Sequence, residues 1–367
     1  MLKIINVVGA RPNFMKAAPV VEAMRRRERE FAPLVVHTGQ HYDAGMSDVF
    51  FRELGLPEPD VHLGVGSASH AAQTALVMQR FEPVVLSERP DWVLVYGDVN
   101  STLAAALVSA KLGVRVAHVE AGLRSRDRTM PEEINRVVTD HVADVLLTPS
   151  KDADANLLAE GIPPERIRFV GNVMIDSLRA QLRRAEKSDV RERLGVSGAD
   201  YAVVTLHRPS NVDERTTFER VLRALERIGE RLPVVFPVHP RTRQKLSEFG
   251  LSKHMAGGAL RLIEPLGYLD FLRLYSGARL VLTDSGGIQE ETTALGIPCL
   301  TLRENTERPI TVEQGTNTVV GTDEEKILSA AFAALERPRA RAEQLRLPPL
   351  WDGHTAERIL DALLEKS

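Results

Sequence analysis

Two acidic residues, Asp98 and Glu120, directly follow two successive apolar runs, 93–96 and 114–119. A segment with helical periodicity, 101–112, separates the two runs. This order predicts two parallel strands whose carboxyl ends lie at the same edge of a sheet, where open α/β sheets bind their ligands. Carboxylates at that edge are candidates for general acid and base catalysis.

A third carboxylate, Glu132, follows Pro131 at the predicted start of a helix, a position that suits proline. The apolar residues of this helix share one stripe and are predicted to be buried: Ile134, Val137, Val138 and Val142. Glu132 points away from that stripe, so we expect it to face either a cleft or water. A solvated carboxylate that is stabilised by the helix dipole is the simpler alternative.

The segment 285–287, with the sequence Ser-Gly-Gly, carries the clearest signal for phosphate binding. It lies between a predicted strand, 279–283, and a helix that is predicted to begin at Ile288. Glycine lets backbone amides approach a ligand closely, and the start of a helix favours negative charge. The Gly-Lys-Ser/Thr of a Walker motif is missing, and Gly9 lacks the spaced glycines of the dinucleotide fingerprint. We therefore expect a phosphate site and no nicotinamide cofactor.

Cationic and histidine side chains follow other predicted strands. Arg11 and Lys16 come after the first strand, where a glycine turn and a helix start form a natural anion site. His207 and His239 each follow a strand directly and lie near arginines, which favours a site for a polyanion. Their spacing is not that of a metal-binding pair, so we expect no catalytic metal.

Two glutamates, Glu290 and Glu291, lie one turn into the helix that follows the Ser-Gly-Gly segment. A carboxylate at Glu291 could accept both hydroxyls of a ribose, and a plain surface glutamate is the simpler alternative. Spacing alone does not distinguish the two neighbours.

The alternation of strands and helices over 367 residues predicts two α/β domains in tandem, each with a doubly wound parallel sheet. We assign 1–175 to the first domain and 176–351 to the second, with a terminal helix, 352–367, packing back on the first. The net charge of −3 gives no electrostatic reason to expect nucleic acid or an anionic membrane as a partner. One cysteine, Cys299, no membrane-length apolar run and no signal-peptide pattern lead us to expect a cytoplasmic protein.

Seven segments resemble, in order and spacing, those of the non-hydrolysing UDP-N-acetylglucosamine 2-epimerases. They are Gly9-Ala10-Arg11-Pro12, Gly39-Gln40-His41, Gly97-Asp98, His118-Val119-Glu120-Ala121-Gly122-Leu123-Arg124, Pro131-Glu132-Glu133-Ile134-Asn135-Arg136, Thr283-Asp284-Ser285-Gly286-Gly287-Ile288-Gln289-Glu290-Glu291 and Thr306-Glu307-Arg308-Pro309. The resemblance covers nearly the whole chain, and the fourth and sixth segments are highly specific.

This resemblance implies a GT-B-like fold, in which two Rossmann-like domains face each other across a cleft. It implies inversion at carbon 2 of UDP-N-acetylglucosamine to give UDP-N-acetylmannosamine, a precursor of surface polysaccharides. The implied route is anti elimination of UDP to a 2-acetamidoglucal, followed by re-addition, with no redox cofactor. A homodimer is also implied.

Carried over residue by residue, the resemblance gives acid and base roles to Asp98, Glu120 and Glu132, and an assisting role at the diphosphate to His207. The residues implied to hold phosphates are Arg11, Lys16, Ser285, Gly286, Gly287 and Arg308. Glu291 would bind the ribose, and Leu266 and Phe271 would meet the uracil, the first through its backbone. Gln40 and His239 complete the predicted substrate-binding set.

Four alternatives stay open at this point. The same chemistry could act on a related UDP-2-acetamido sugar, such as a 2,3-diacetamido uronic acid. A hydrolysing relative would release free N-acetylmannosamine and UDP. A GT-B glycosyltransferase is disfavoured because no surface for docking an acceptor is evident, and a catalytically silent sensor would not need three acids.

Overall fold

The computed structural model describes residues 1–40, 56–251, 258–339 and 346–367. His41 and the side chain of Arg11 lie outside this described part. The chain divides into two compact units, one formed by Met1–Arg179 with Pro349–Ser367 and one formed by Ala180–Pro348. Within the described ranges, no helix combines the length and the apolar character needed to cross a membrane.

In the described part of the first unit, seven parallel strands form one sheet in the order β3-β2-β1-β4-β5-β6-β7. The strands are β1 (Leu2–Val8), β2 (Phe31–His37), β3 (Val61–His62), β4 (Trp92–Tyr96), β5 (Arg115–Val119), β6 (Val145–Thr148) and β7 (Ile167–Phe169). The helices are α1 (Arg11–Arg26), α2 (His70–Glu88), α3 (Asn100–Lys111), α4 (Pro131–Val142), α5 (Lys151–Ala159), α6 (Val173–Ala185), which contains the boundary, and α15 (Thr355–Glu365). Every residue of β4 is buried, as expected of a parallel strand that is covered on both faces.

In the described part of the second unit, six parallel strands follow the order β10-β9-β8-β11-β12-β13. The strands are β8 (Ala202–Thr205), β9 (Val234–Pro237), β10 (Leu260–Ile263), β11 (Leu280–Thr283), β12 (Cys299–Thr301) and β13 (Asn317–Val319). The helices are α7 (Val190–Arg193), α8 (Pro209–Val212), α9 (Arg215–Gly229), α10 (Pro240–Glu248), α11 (Tyr268–Ser276), α12 (Gly286–Leu295), α13 (Pro309–Glu313) and α14 (Glu324–Glu336). The prediction of two Rossmann-like, doubly wound parallel sheets is confirmed.

Helix α9 illustrates how the sequence builds the core of the second unit. Phe218, Val221, Leu222, Leu225 and Ile228 recur at helical spacing, and all five are buried in the apolar cluster of this unit. The spacing puts them on one stripe, so the helix covers the sheet while its charged residues stay in water.

Both sheets reverse their strand order beside their first strand, and such a switch point is where α/β proteins bind ligands. In the first unit the reversal lies between β1 and β4, so the turns that begin at Gly9 and Gly97 meet there. In the second unit it lies between β8 and β11, beside His207 and Ser285. In each unit, the fold therefore brings the segments with candidate functional residues to the switch point of that unit's sheet.

The buried face of helix α4 is not the one that the sequence pattern predicted. Its inward side is polar and consists of Glu133, Asn135, Arg136, Thr139 and Asp140. The stripe that we predicted to be buried is the more exposed one: Ile134 is 37% exposed, and Val137, Val138 and Val142 are half-buried. The reason is that most of the inward polar residues have specific ionic or hydrogen-bond partners in the ends of neighbouring strands.

Candidate active site

Asp98 lies at the carboxyl end of β4, directly after a turn that requires glycine. Gly97 has a φ of 63°, and a Cβ atom at this position would lie 2.7 Å from the Lys16 Nζ atom and 3.8 Å from the Glu120 Oε1 atom. The Asp98 carboxylate, one quarter exposed, forms an ion pair with the Arg136 guanidinium of α4. Gly97, the residue before Asp98, thus lies next to the pair formed by Lys16 and Glu120.

Glu120 forms a buried ion pair with Lys16, whose Nζ atom is 2.7 Å from the Glu120 Oε1 atom. Both side chains are almost inaccessible to water, with exposed fractions of 4% and 6% for Glu120 and Lys16. Glu120 also has a φ of 72°, a conformation that costs energy for a residue other than glycine and is concentrated at functional sites. The sequence suggested roles for both residues but did not reveal that they form a pair.

Glu132, the third predicted carboxylate, is half-buried in the first turn of α4. It lies one helical turn before Arg136, the residue that holds Asp98. Among the described residues it has no ion-pair partner within 4.0 Å, in contrast to Asp98 and Glu120. The three carboxylates therefore belong to one local framework made of β4, β5 and α4.

A buried network anchors this framework. His118 places its Nδ1 atom 2.6 Å from Asp140 and its Nε2 atom 2.7 Å from the carbonyl oxygen of Gly97. Asp140 also accepts a hydrogen bond from the amide of Gly122 at 3.1 Å and pairs with Arg124 at 2.8 Å. Burial alone would raise the pKa of Asp140, but His118 and Arg124 hold it below its ordinary value.

Sequence reasoning missed the positioning residues of α4. Arg136 binds Asp98 and, at 2.6 Å, Glu133, while Asn135 donates to the carbonyl oxygen of Asp98 at 2.9 Å. Arg136 and Asp140 are four residues apart, a spacing that puts both on the same side of a helix. This spacing could have indicated that the polar side of α4 is buried, but the apolar stripe on the opposite side was the stronger pattern.

The turn after β1 was predicted to be an anion site, but two of its backbone amides already form hydrogen bonds within the protein. The amides of Gly9 and Ala10 donate to the Asn13 side chain at 3.2 and 3.1 Å, so these two donors already have an acceptor. Gln40, after β2, is buried and accepts hydrogen bonds from the amide and hydroxyl of Ser101 at 3.0 and 2.7 Å. Helix α1 begins at residue 11, directly after this turn.

In the second unit, the buried carboxylate of Asp284 joins the ends of β8 and β11. Its Oδ2 atom accepts the amides of His207 and Arg208 at 3.0 and 2.9 Å and the side chain of Asn211 at 3.1 Å. The Nδ1 atom of His207 lies 3.0 Å from the other carboxylate oxygen. Burial would raise the pKa of Asp284, but these contacts lower it.

The two predicted histidines lie close together. The rings of His207 and His239 are 6.3 Å apart, and both residues are exposed. Nδ1 of His239 accepts the amide of Arg241 at 3.3 Å. Over the described ranges, no group of three or more His, Cys, Asp and Glu residues is arranged to hold a metal ion.

An arginine cluster lies beside the start of α12. Glu307 is 2.8 Å from Arg303, 3.3 Å from Arg308 and 3.5 Å from Arg208. Burial would raise the pKa of Glu307, but the three guanidiniums hold it well below its ordinary value. Arg308 also pairs with Glu290 at 3.0 Å, so three guanidiniums and two carboxylates lie together in this cluster. Guanidiniums beside a helix start favour an anionic ligand.

The Ser-Gly-Gly segment forms the beginning of α12, which starts at Gly286, two residues before the predicted start. A Cβ atom on Gly286 would lie 2.8 Å from a Glu307 oxygen and 3.3 Å from the Arg308 guanidinium carbon. Glycine at this position therefore lets the arginine cluster pack directly against the helix start. Ser285 precedes the helix as its N-cap residue, and Gly287 lies in its first turn.

The structure also distinguishes the two neighbouring glutamates. Glu290 points to Arg308, whereas Glu291 accepts a hydrogen bond from the Tyr275 hydroxyl at 2.6 Å. Phe271 and Leu266, predicted to meet the uracil, are half-buried on α11 and just before it. The ring of Phe271 lies 5.1 Å from that of Tyr275.

Two sheets with the Rossmann strand order, each with charged side chains at its switch point, define a doubly wound α/β protein of the Rossmann-like class. A family model described as UDP-N-acetylglucosamine 2-epimerase matches residues 22–364. The chain therefore belongs to the UDP-N-acetylglucosamine 2-epimerase family, and the sequence-based resemblance and the expectation of an isomerase are confirmed at the level of the family.

Individual relatives are similar along their full length. A UDP-N-acetylglucosamine 2-epimerase of Methanocaldococcus jannaschii is 43% identical and covers 99% of both chains. A UDP-2,3-diacetamido-2,3-dideoxy-D-glucuronate 2-epimerase of Pseudomonas aeruginosa is 41% identical and covers 91% of this chain and 92% of its own. The crystal structure of the Methanocaldococcus jannaschii enzyme with UDP-GlcNAc and UDP matches 99% of this chain and 100% of its own, with a TM-score of 0.89 and 42% identity.

We predict that Asp140→Asn lowers the free energy of unfolding of the first unit by about 3–5 kcal/mol, because it removes the buried carboxylate that pairs with Arg124 and contacts His118, and Arg124 is then left with Glu160. Urea unfolding followed by tryptophan fluorescence measures this, since both tryptophans, Trp92 and Trp351, are buried in the first unit. The control Asp361→Asn removes an exposed carboxylate and should cost at most about 0.5 kcal/mol. Equal losses in both variants would contradict the anchoring role of Asp140.

Proposed function

We propose that the protein interconverts UDP-N-acetylglucosamine and UDP-N-acetylmannosamine by inverting carbon 2 of the sugar. The observation that carries this proposal is the set of carboxylates at the switch point of the first sheet, with Asp98 and Glu120 each beside a cation. Membership in the family and the 43% identity to a UDP-N-acetylglucosamine 2-epimerase support the choice of substrate.

The two units have different tasks in this proposal. The second unit binds UDP: the arginine cluster and the start of α12 hold the diphosphate, Glu291 binds the ribose, and α11 meets the uracil. The guanidiniums of this cluster suit a diphosphate that gains negative charge as it leaves. The first unit moves protons on the sugar, since Asp98, Glu120 and Glu132 are the acid and base groups of its framework.

The proposed reaction begins when a carboxylate of the first unit removes the proton from carbon 2. The electron pair of that bond forms a double bond between carbons 1 and 2, and the bond from carbon 1 to the UDP oxygen breaks. The resulting 2-acetamidoglucal then takes a proton at carbon 2 on the opposite face, while UDP returns to carbon 1. Because no electrons are exchanged with a partner, the cycle needs no redox cofactor.

A second candidate substrate is a UDP-2,3-diacetamido uronic acid. The specific observation that favours it is the 41% identity to the Pseudomonas aeruginosa relative, nearly as high as that to the Methanocaldococcus jannaschii enzyme. The same acid and base groups would act, because the reacting carbon and its acetamido group are alike. A hydrolysing reaction that releases free N-acetylmannosamine is a further outcome that the following experiment separates.

We predict that incubation with UDP-N-acetylglucosamine in heavy water yields UDP-N-acetylmannosamine with deuterium at carbon 2, detected by NMR. Each of Asp98→Asn, Glu120→Gln and Glu132→Gln should slow this exchange by about 100- to 10,000-fold, the usual contribution of an acid or base group. UDP affinity, measured by calorimetry, should stay within about threefold, because these carboxylates are proposed to act on the sugar and not to bind the nucleotide.

Glu165→Gln, which changes an exposed glutamate of the first unit, is the matched control and should exchange at the normal rate. Free N-acetylmannosamine as the product would identify a hydrolysing enzyme. Exchange with the diacetamido uronic acid alone would identify the second substrate. Loss of UDP affinity in the three carboxylate variants would mean that they bind the nucleotide rather than transfer protons.

We also propose that the protein is a homodimer and that the outer face of α2 and α4 forms the interface. A groove of about 660 Å³ between these helices is lined by apolar residues that include Ala71, Met78 and Ile134, together with polar ones such as Arg128 and Asn135. Ile134 is 37% exposed, and exposed apolar residues on a helix face are typical of an interaction site. We further propose a cytoplasmic location, because the buried thiol of Cys299 fits a reducing compartment.

We predict that Ile134→Glu converts the dimer to a monomer, because it places a charge among the apolar side chains of the proposed interface. Size-exclusion chromatography with light scattering measures the mass against the 40.6 kDa of one chain. Leu158→Glu is the control, since it changes an exposed leucine of α5 that is absent from the lining of the groove. A dimer that survives the first change, or a wild-type monomer, would rule out this interface.

A further inference from the structure

Two buried tyrosines of α11 hold the carboxylate of Glu291 from both of its oxygens. The hydroxyl of Tyr275 donates to the Oε2 atom at 2.6 Å, and the hydroxyl of Tyr268 reaches the Oε1 atom at 3.5 Å. Tyr275 is inaccessible to water, and Tyr268 and Glu291 are each 2% exposed. A short hydrogen bond from a hydroxyl to a carboxylate is among the stronger ones in proteins, so Tyr275 fixes the plane of this side chain.

We propose that Tyr275, with weaker help from Tyr268, is a positioning residue that makes the site select UDP over 2′-deoxy-UDP. This inference rests on the proposed function, in which Glu291 accepts the ribose hydroxyls. A carboxylate has about four acceptor positions, so it can bind tyrosine and ribose hydroxyls together. Tyr275 would thus give Glu291 its orientation before the nucleotide arrives, and the cost of ordering that side chain would be met during folding.

The location of the tyrosines on α11 supports a role in nucleoside recognition. The same helix carries Phe271, whose ring contacts that of Tyr275 with the centroids 5.1 Å apart and the planes tilted by 55°. One rigid helix therefore links the residue proposed for the uracil to the residue that orients the ribose acceptor.

The physical basis of selectivity is the hydrogen bond that 2′-deoxy-UDP cannot form. A site built to bind a hydroxyl disfavours the analogue that lacks it, because the hydrogen bond to the buried carboxylate is then not made. A hydrogen bond to a charged group corresponds to about 10- to 100-fold in affinity, so we expect 2′-deoxy-UDP to bind the wild-type protein more weakly by about this factor.

Titration calorimetry of the full-length protein with UDP and with 2′-deoxy-UDP tests the inference. The quantity compared is one ratio, the dissociation constant of 2′-deoxy-UDP divided by that of UDP. In Tyr275→Phe we expect the ratio to fall by about tenfold, because Glu291 loses its strongest orienting bond. Tyr268→Phe should lower the ratio by less than about threefold, because its contact is long. The control Tyr201→Phe removes a buried hydroxyl that donates to the carbonyl oxygen of Leu274 on α11 at 2.5 Å, and it should keep the wild-type ratio.

The outcomes separate the inference from the function on which it rests. A wild-type protein that binds UDP but has the same ratio as Tyr275→Phe overturns the inference and leaves the function in place. Wild-type protein that does not discriminate against 2′-deoxy-UDP overturns it as well. Failure of the wild-type protein to bind UDP overturns both. If Tyr275→Phe does not fold, Tyr268→Phe takes its place, and a ratio at or above the wild-type value in that variant overturns the inference.

Discussion

The buried carboxylate of Asp140 is the constraint on which the first unit depends. It connects α4 to His118 on β5 and to the amide of Gly122 just after β5. Through His118 it also fixes the carbonyl oxygen of Gly97, the residue before Asp98. Since Glu120 lies between His118 and Gly122, one buried carboxylate controls the backbone around two of the candidate catalytic groups.

The same design recurs in the second unit, where buried acids hold the groups proposed to bind the substrate. Asp284 fixes the backbone at His207, and Glu307 gathers the guanidiniums of the arginine cluster. A buried charge is costly unless it is paired, and the pairing gives it a defined geometry. Both units therefore use buried ion pairs to preorganise polar side chains, which lowers the reorganisation needed during a reaction.

Glu120 combines two costs, a left-handed backbone and a buried charge. Such costs persist where the surrounding structure compensates for them, and here Lys16 and the turn at Gly97 do so. An ordinary structural glutamate would need neither feature. This combination is a physical argument, independent of any resemblance, for a functional role of the first sheet's switch point.

The sequence alone determined the two parallel sheets and the location of Asp98, Glu120 and Ser285 at strand ends, because these features follow from local periodicity and turn residues. Only the tertiary structure decided which side of α4 is buried and which glutamate meets the tyrosines. The pairing of Lys16 with Glu120 joins residues 104 positions apart. Such choices depend on partners distant in the chain, and local patterns contain no information about them.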